Sequence, residues 1–434
     1  MKMKLASVLS LLVLSLHARA QTLDTTTFIV MGEGLAAGMA NFGLSSVVQS
    51  KDFAALMAAQ MGTGMEQPLI QPPGIGDVIG YPGQEVQVQK YPQGSVRQTY
   101  VPTDPTKAPI ATPPLFVTNV SIPGLTLSDS INMKPVAPVV QRGNMKQTVF
   151  NMILGFPQLI LNNVPLWTQF EYAKAMFPTV AMIELGYYEA LTAAVAGDPT
   201  LLPNPATFGT NYATVIAGLR GLQAQVIATT IPNPLDTGYF NSPAAAAAIL
   251  FATPSVLSTG YNIAPQDYIT RNGLQTISNQ LSSLQVGTDI ILPASGGFLP
   301  LASGSTLSAA TAAAITVGVN ALNAQIVTAA KANGAVVYDL NAFLHNIKVA
   351  GAKAGTVTVT GDYLGGFYSL DGVYPGATGH ALIANDMLTF LNFTYHRSFP
   401  LVNTATVAAS DPSAQYVKPV GGTLITPSSI GITQ

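Results

Sequence analysis

The sequence predicts an α/β protein built on a doubly wound parallel sheet of about five strands. Three observations carry that prediction. Short, almost unbroken apolar runs recur along the chain, helix-length segments lie between them, and a chain of 434 residues that is 48% hydrophobic can bury a large core. Unbroken apolar runs suit strands covered on both faces, and parallel strands need long crossovers, which the intervening helices supply.

The expected strands are FIVM at residues 28–31, LFVTNV at 115–120, TVAMIEL at 179–185, QVIATTI at 225–231 and AVVYDL at 335–340. A long helix is expected over residues 308–333, where Ile315, Val319, Leu322 and Ile326 return at helical spacing and Gly334 can end it. A final helix is expected over residues 378–392. Two stretches break the rhythm. Residues 67–112 are rich in Pro and Gly and read as an irregular excursion, whereas residues 241–304 read as an inserted, lid-like segment over the carboxyl edge of the sheet.

The first twenty residues, MKMKLASVLSLLVLSLHARA, combine Lys2 and Lys4, an apolar stretch from Leu5 to Leu16, and Ala18-Arg19-Ala20 in a small-x-small pattern. That is the pattern of a cleaved signal peptide, which places the mature chain in the periplasm or outside the cell after cleavage near Ala20. The apolar stretch is shorter than the roughly 20 residues a membrane anchor needs, and no transmembrane segment is expected in the mature chain. The expected organisation is a signal peptide at 1–20, one domain at 21–400 and a Thr/Ser-rich tail at 401–434. With 9% charged residues and a net charge of -2 there is no basic field to draw nucleic acid. The absence of cysteine excludes thiol catalysis and thiolate metal sites.

The candidate site starts at MGEGLAAG, residues 31–38, directly after the first expected strand. Ligands of open parallel sheets bind beyond the carboxyl ends of the strands, so this turn stands where chemistry is expected. The glycines at 32, 34 and 38 miss the G-x-G-x-x-G spacing of a dinucleotide site, and no Lys-Ser or Lys-Thr follows to make a phosphate loop.

Four separated segments, in order, resemble the SGNH or GDSL esterase and lipase family over residues 26–392. GEGL aligns with the family's G-D-S-L block, setting Glu33 on the aspartate and Gly34 on the nucleophilic serine. NVSIPGLTL sets Gly124 on the glycine whose N–H helps form the oxyanion hole. GYYE sets Tyr188 on the oxyanion-hole asparagine and Glu189 on the aspartate that follows it. DGVY keeps the aspartate as Asp371 and sets Tyr374 on the histidine. The resemblance implies a flavodoxin-like three-layer sandwich.

It also implies that the usual chemistry is missing. Gly34 has no hydroxyl to attack a carbonyl, and a phenol with a pKa of about 10 is no general base near neutrality, so Tyr374 cannot replace the histidine. Tyr188 lacks the amide donor. No catalytic residue set is intact, and Glu33, Gly34, Gly124, Tyr188, Glu189 and Tyr374 become candidate ligand-contact positions. One account is that the glutamates keep the hydrogen bonds of the shorter acids while the tyrosines fill the vacated space. Another is a repurposed pocket for a small molecule, sugar or acyl ligand, since tyrosine faces and carboxylates suit such groups. The expected function is thus that of a ligand-binding or structural pseudoenzyme needing no cofactor or metal. Two alternatives are a hydrolase of ester or glycosidic bonds using Asp371, His380, Glu33 or Glu189, and an envelope or surface assembly component.

Other candidates are weaker. His345 and His396 lie outside the motif blocks, and Ser121 and Ser369 lie near site loops without a nucleophile-turn context. No histidine spacing suggests zinc.

Overall fold

The computed structural model describes residues 22–72, 74–76, 87–89, 95–97, 114–141, 143–155, 166–285 and 299–415. The expected signal peptide, most of the 67–112 excursion, residues 286–298 of the inserted segment and the tail from residue 416 lie outside the described residues.

In chain order, the elements that position the site begin with β1 (Phe28–Gly32), α1 (Gly34–Ala37), α2 (Phe53–Met61) and α3 (Leu127–Asn132). Then come β2 (Val180–Glu184), α4 (Tyr187–Ala196), α5 (Pro205–Arg220) and β3 (Gln225–Thr229). The last group is α6 (Arg271–Gln285), α7 (Ala309–Ala332), β4 (Val336–Tyr338) and α8 (Ala377–Tyr395). The four strands form one parallel sheet in the order β1-β2-β3-β4. Phe28 stands opposite Val180, Val180 opposite Gln225, and Ile227 opposite Val336. Every residue of β1, β2 and β3 is buried, as unbroken apolar runs require when both faces are covered.

The run expected as a strand at 115–120 joins this sheet only by a single parallel bridge, between Asn119 and Val30. Backbone N–H groups of Val30 and Val120 bond to Thr118 and Val30 carbonyls, so the segment does run beside β1. Its first two residues, Leu115 and Phe116, are exposed, and the N–H groups of Thr118 and Asn119 turn away to Glu66. The apolar run is therefore only partly a strand.

Helix α7 matches the expected helix to within a residue at each end. Ser308 caps it by accepting from the Thr311 N–H, and Ala312, Ile315, Val319, Leu322 and Ile326 form its buried stripe. That stripe packs against α5 and the sheet, and each large side chain buried there contributes about 1.5–3 kcal/mol. Among the described residues, α7 is also the helix long and apolar enough to cross a membrane by length and composition.

Residues 241–285 take part in a second apolar cluster, apart from the main core. SPAAAAAIL and TPSVLSTGY form the helices Pro243–Leu250 and Pro254–Tyr261, each starting with proline where its missing N–H costs nothing. Together with α6 and a small antiparallel sheet they bury Leu250, Leu257, Ile269, Leu274 and Ile277 against Tyr363, Leu364 and Leu370.

Candidate functional site

Strand β1 runs straight into the site. Glu33 follows it in a non-helical conformation and caps α1, its Oε1 accepting from the Leu35 N–H at 2.9 Å. Helix α1 has a single turn and ends at Gly38, whose φ of 76° is the left-handed conformation that glycine adopts without penalty. Glu33 is fully buried, and the hydroxyl of Tyr374 donates to its Oε2 at 3.1 Å. The backbone N–H groups of Gly34 and Gly124 also face this carboxyl. Burial pushes Glu33 up to about 7, with the hydrogen bonds from Leu35, Gly34, Tyr374 and Gly124 pulling the other way.

Gly34 explains its own identity. A Cβ on this residue would stand 2.6 Å from the Tyr374 hydroxyl oxygen and 2.8 Å from its Cζ. The ring is itself fully buried and meets Tyr187 edge to face, with centroids 6.1 Å apart at 82°. The space beside Gly34 is thus filled by the phenol from position 374, so the residues at 34 and 374 are sterically linked. No side chain fits at 34 while Tyr374 stays.

Strand β2 ends on Glu184, which the motif reading passed over. Its Oε2 accepts from the Glu33 and Ala36 N–H groups, both at 3.3 Å, so it fastens the start of α1 to the neighbouring strand. Burial holds its carboxyl well above the ordinary range, and the nearby Glu33 adds to the effect. The signal in the sequence was a lone acid inside the apolar run TVAMIEL. Glu189, on the first turn of α4, accepts from the Leu127 N–H at 2.7 Å and so ties α4 to α3, while its Oε2 has no hydrogen-bond partner. Burial pushes it up to about 7. Three fully or nearly buried glutamates thus share one region, and none of them forms an ion pair among the described residues. They are carried by backbone N–H groups and by protonation.

The two adjacent tyrosines of GYYE divide. Tyr188 is half-buried and its hydroxyl bonds to Thr192 on its own helix, whereas Tyr187 points inward, donates to the Val373 carbonyl at 3.2 Å and packs on Tyr374. Asp371 organises the turn that delivers Tyr374: Oδ1 accepts from the Val373 and Tyr374 N–H groups, both at 2.8 Å, and Oδ2 from Phe42 at 3.3 Å. Ser369 beside it accepts from the Asn41 N–H. Burial raises the Asp371 carboxyl against these bonds.

His380 lies elsewhere. Its Nδ1 accepts from the Phe53 N–H at the start of α2, its ring stacks on Phe53, and its Nε2 is buried without a partner. Burial lowers it to about 3, which keeps the imidazole neutral. Its Nδ1 bond goes to α2, not to Asp371, and it thus shares the work of the neighbouring cap Asp52. Asp52 accepts from the Ala55 N–H and is itself pushed up to about 8 by burial. His345 is exposed and pairs with Asp236 at 3.1 Å, and His396 ends α8 in a left-handed conformation. Ser121 is buried beside Gly32, its hydroxyl without a partner. Among the described residues no cluster of three or more metal-ligating side chains forms.

No known family profile matches the chain, and no curated protein does. Among solved structures, that of TesA covers 85% of this chain and 99% of its own, at 12% identity and a TM-score of 0.33. Likeness at that level carries no argument about activity.

Proposed function

We propose that the chain is an exported protein of flavodoxin-like, doubly wound SGNH-hydrolase architecture that no longer hydrolyses esters through a serine, and that it serves as a binding or structural protein. One observation carries this reading: the Tyr374 ring fills the space beside Gly34 where a nucleophile's side chain would stand. The convergence of the Gly34 and Gly124 N–H groups on Glu33 supports it further, because a carboxyl group seated there already occupies donors that an oxyanion would need. The strand order and the segment at 117–120 beside β1 fit the proposed architecture. Export rests on the pattern of residues 1–20.

The alternatives draw less support. A hydrolase built on Asp371 and His380 lacks their contact, since His380 is spent on Phe53. Glycoside cleavage by Glu33 and Glu189 needs carboxyls that meet substrate, and both are buried against backbone donors. Any ligand site is expected away from Gly34. The reading is tested by fluorophosphonate labelling and p-nitrophenyl ester turnover: the expected result is no specific label, and labelling of a defined serine would overturn it.

A further inference from the structure

Residues 39–44 form a hairpin that pairs Met39 with Leu44 and Ala40 with Gly43, which leaves Asn41 and Phe42 as its two-residue tip. Both tip residues have positive φ, 53° at Asn41 and 67° at Phe42, as a tight hairpin turn requires. Asparagine tolerates that conformation, but glycine is the usual residue at the second place, and a phenylalanine there is held against its own steric preference. Contacts on two sides hold it. On one side the tip grips the turn that delivers Tyr374. The Asn41 N–H donates to Ser369 Oγ at 2.9 Å, the Phe42 N–H to Asp371 Oδ2 at 3.3 Å, and Asn41 Oδ1 accepts from the Leu370 N–H at 3.1 Å. On the other side Phe42 packs on the second apolar cluster, with the guanidinium carbon of Arg271, at the start of α6, 4.6 Å from its ring centroid. Arg271 is buried and is itself fixed by Asn272 Oδ1, at 3.1 Å, and by the Tyr363 hydroxyl. Leu370 belongs to the same cluster and directly precedes Asp371, so the chain that leaves the cluster enters the Tyr374 turn at the next residue.

We propose that this tip is a conformational strap that couples the inserted segment to the Tyr374 turn. Fastened, it pins both. Released, Phe42 leaves the left-handed conformation, and Arg271 and Asp371 each lose a partner, so the two regions loosen together. The strain at Phe42 favours release, and the guanidinium and the side-chain acceptors oppose it. The strap involves no catalytic group, and its test reads amide exchange rather than turnover, so it and the esterase question stand or fall separately. Hydrogen–deuterium exchange of the full-length protein, resolved to peptides by mass spectrometry, tests it. Phe42→Ala removes the ring and leaves the tip backbone strained. It is expected to speed exchange by about tenfold both in the helix at 271–281 and in the turn at 369–376, the loss a partly desolvated cation–π contact carries, with β1, β2 and β3 at wild-type rates. Ser369→Ala takes away the Asn41 acceptor on the turn side of the tip. Because coupling is reciprocal, it should speed exchange at 271–281 as well, and it carries the test if Phe42→Ala does not fold. The proposal is overturned if Phe42→Ala loosens only one of the two regions, if it leaves both at wild-type rates, if β1, β2 and β3 accelerate as much, or if Ser369→Ala leaves 271–281 unchanged.

Discussion

Replacing Gly34 by alanine probes the closed site with a single methyl group. The added Cβ lands 2.6 Å from the Tyr374 hydroxyl oxygen and 3.0 Å from Cε1, well inside contact distance. The ring has nowhere to retreat: Tyr187 lies against it and its hydroxyl is held by Glu33. Overpacking of this kind costs about 1–3 kcal/mol, and displacing the hydroxyl from a buried carboxyl adds about 1–3 kcal/mol, so Gly34→Ala is expected to lose about 2–6 kcal/mol. Tyr374→Ala leaves a cavity and costs about 3–5 kcal/mol on its own. The double variant puts the new methyl into that cavity, and its loss should fall short of the sum by about 1–3 kcal/mol. Urea unfolding followed by circular dichroism at constant m-value reads all four states. An unshifted midpoint for Gly34→Ala, or strict additivity in the cycle, would refute the claim that Tyr374 occupies the nucleophile's place.

Other predictions follow from the buried ionisable groups. Glu189 is raised from 4.5 to about 7, so the folded state holds its proton where the unfolded state has lost it. Stability from this group is fully present below 4.5 and declines as pH rises toward 7, by about 3 kcal/mol in all. Glu189→Gln should therefore match the wild type near pH 4 and exceed it at pH 8, and parallel stability curves would count against the reading. His380 runs the opposite way: lowered from 6.5 to about 3, it contributes fully above 6.5 and costs stability as pH falls below that value. His380→Gln, which can still accept from the Phe53 N–H, should lose less stability than the wild type between pH 6.5 and 4.5 in the same urea assay. Under the proposed reading, putting the serine, asparagine and histidine in place is not enough for ester turnover, because Glu33 already faces the Gly34 and Gly124 N–H groups. Gly34→Ser, Tyr188→Asn and Tyr374→His together are expected to give no ester turnover, and weak turnover should emerge only when Glu33→Asp is added.

Much of the fold is legible in the sequence because burial on both faces leaves unbroken apolar runs, and β1, β2, β3 and α7 fall where those runs and the 3.6-residue spacing put them. The segment at 115–120 is less legible, since an apolar run does not say whether its N–H groups face a strand or, as here, Glu66. Residues 241–304 read in the sequence as a lid-like insertion without assigned elements, and Pro243 and Pro254 there begin helices. In the site, motif order set down Glu33, Gly34, Asp371 and Tyr374 as candidates. That Tyr374 fills the space beside Gly34 was not, because residues 340 apart in sequence meet only through the sheet. Which of two adjacent tyrosines turns inward was equally hidden, as it depends on the exit angle of α4 after Gly186, whose φ is 109°. His380 drew attention as a motif-adjacent histidine, and its partner is a helix N-terminus.

The central claim, a closed site without serine chemistry, is tested most directly by p-nitrophenyl ester hydrolysis measured side by side on the wild type and Glu33→Ala. The account predicts that both give the uncatalysed background rate. Wild-type turnover well above background that disappears in Glu33→Ala would contradict it.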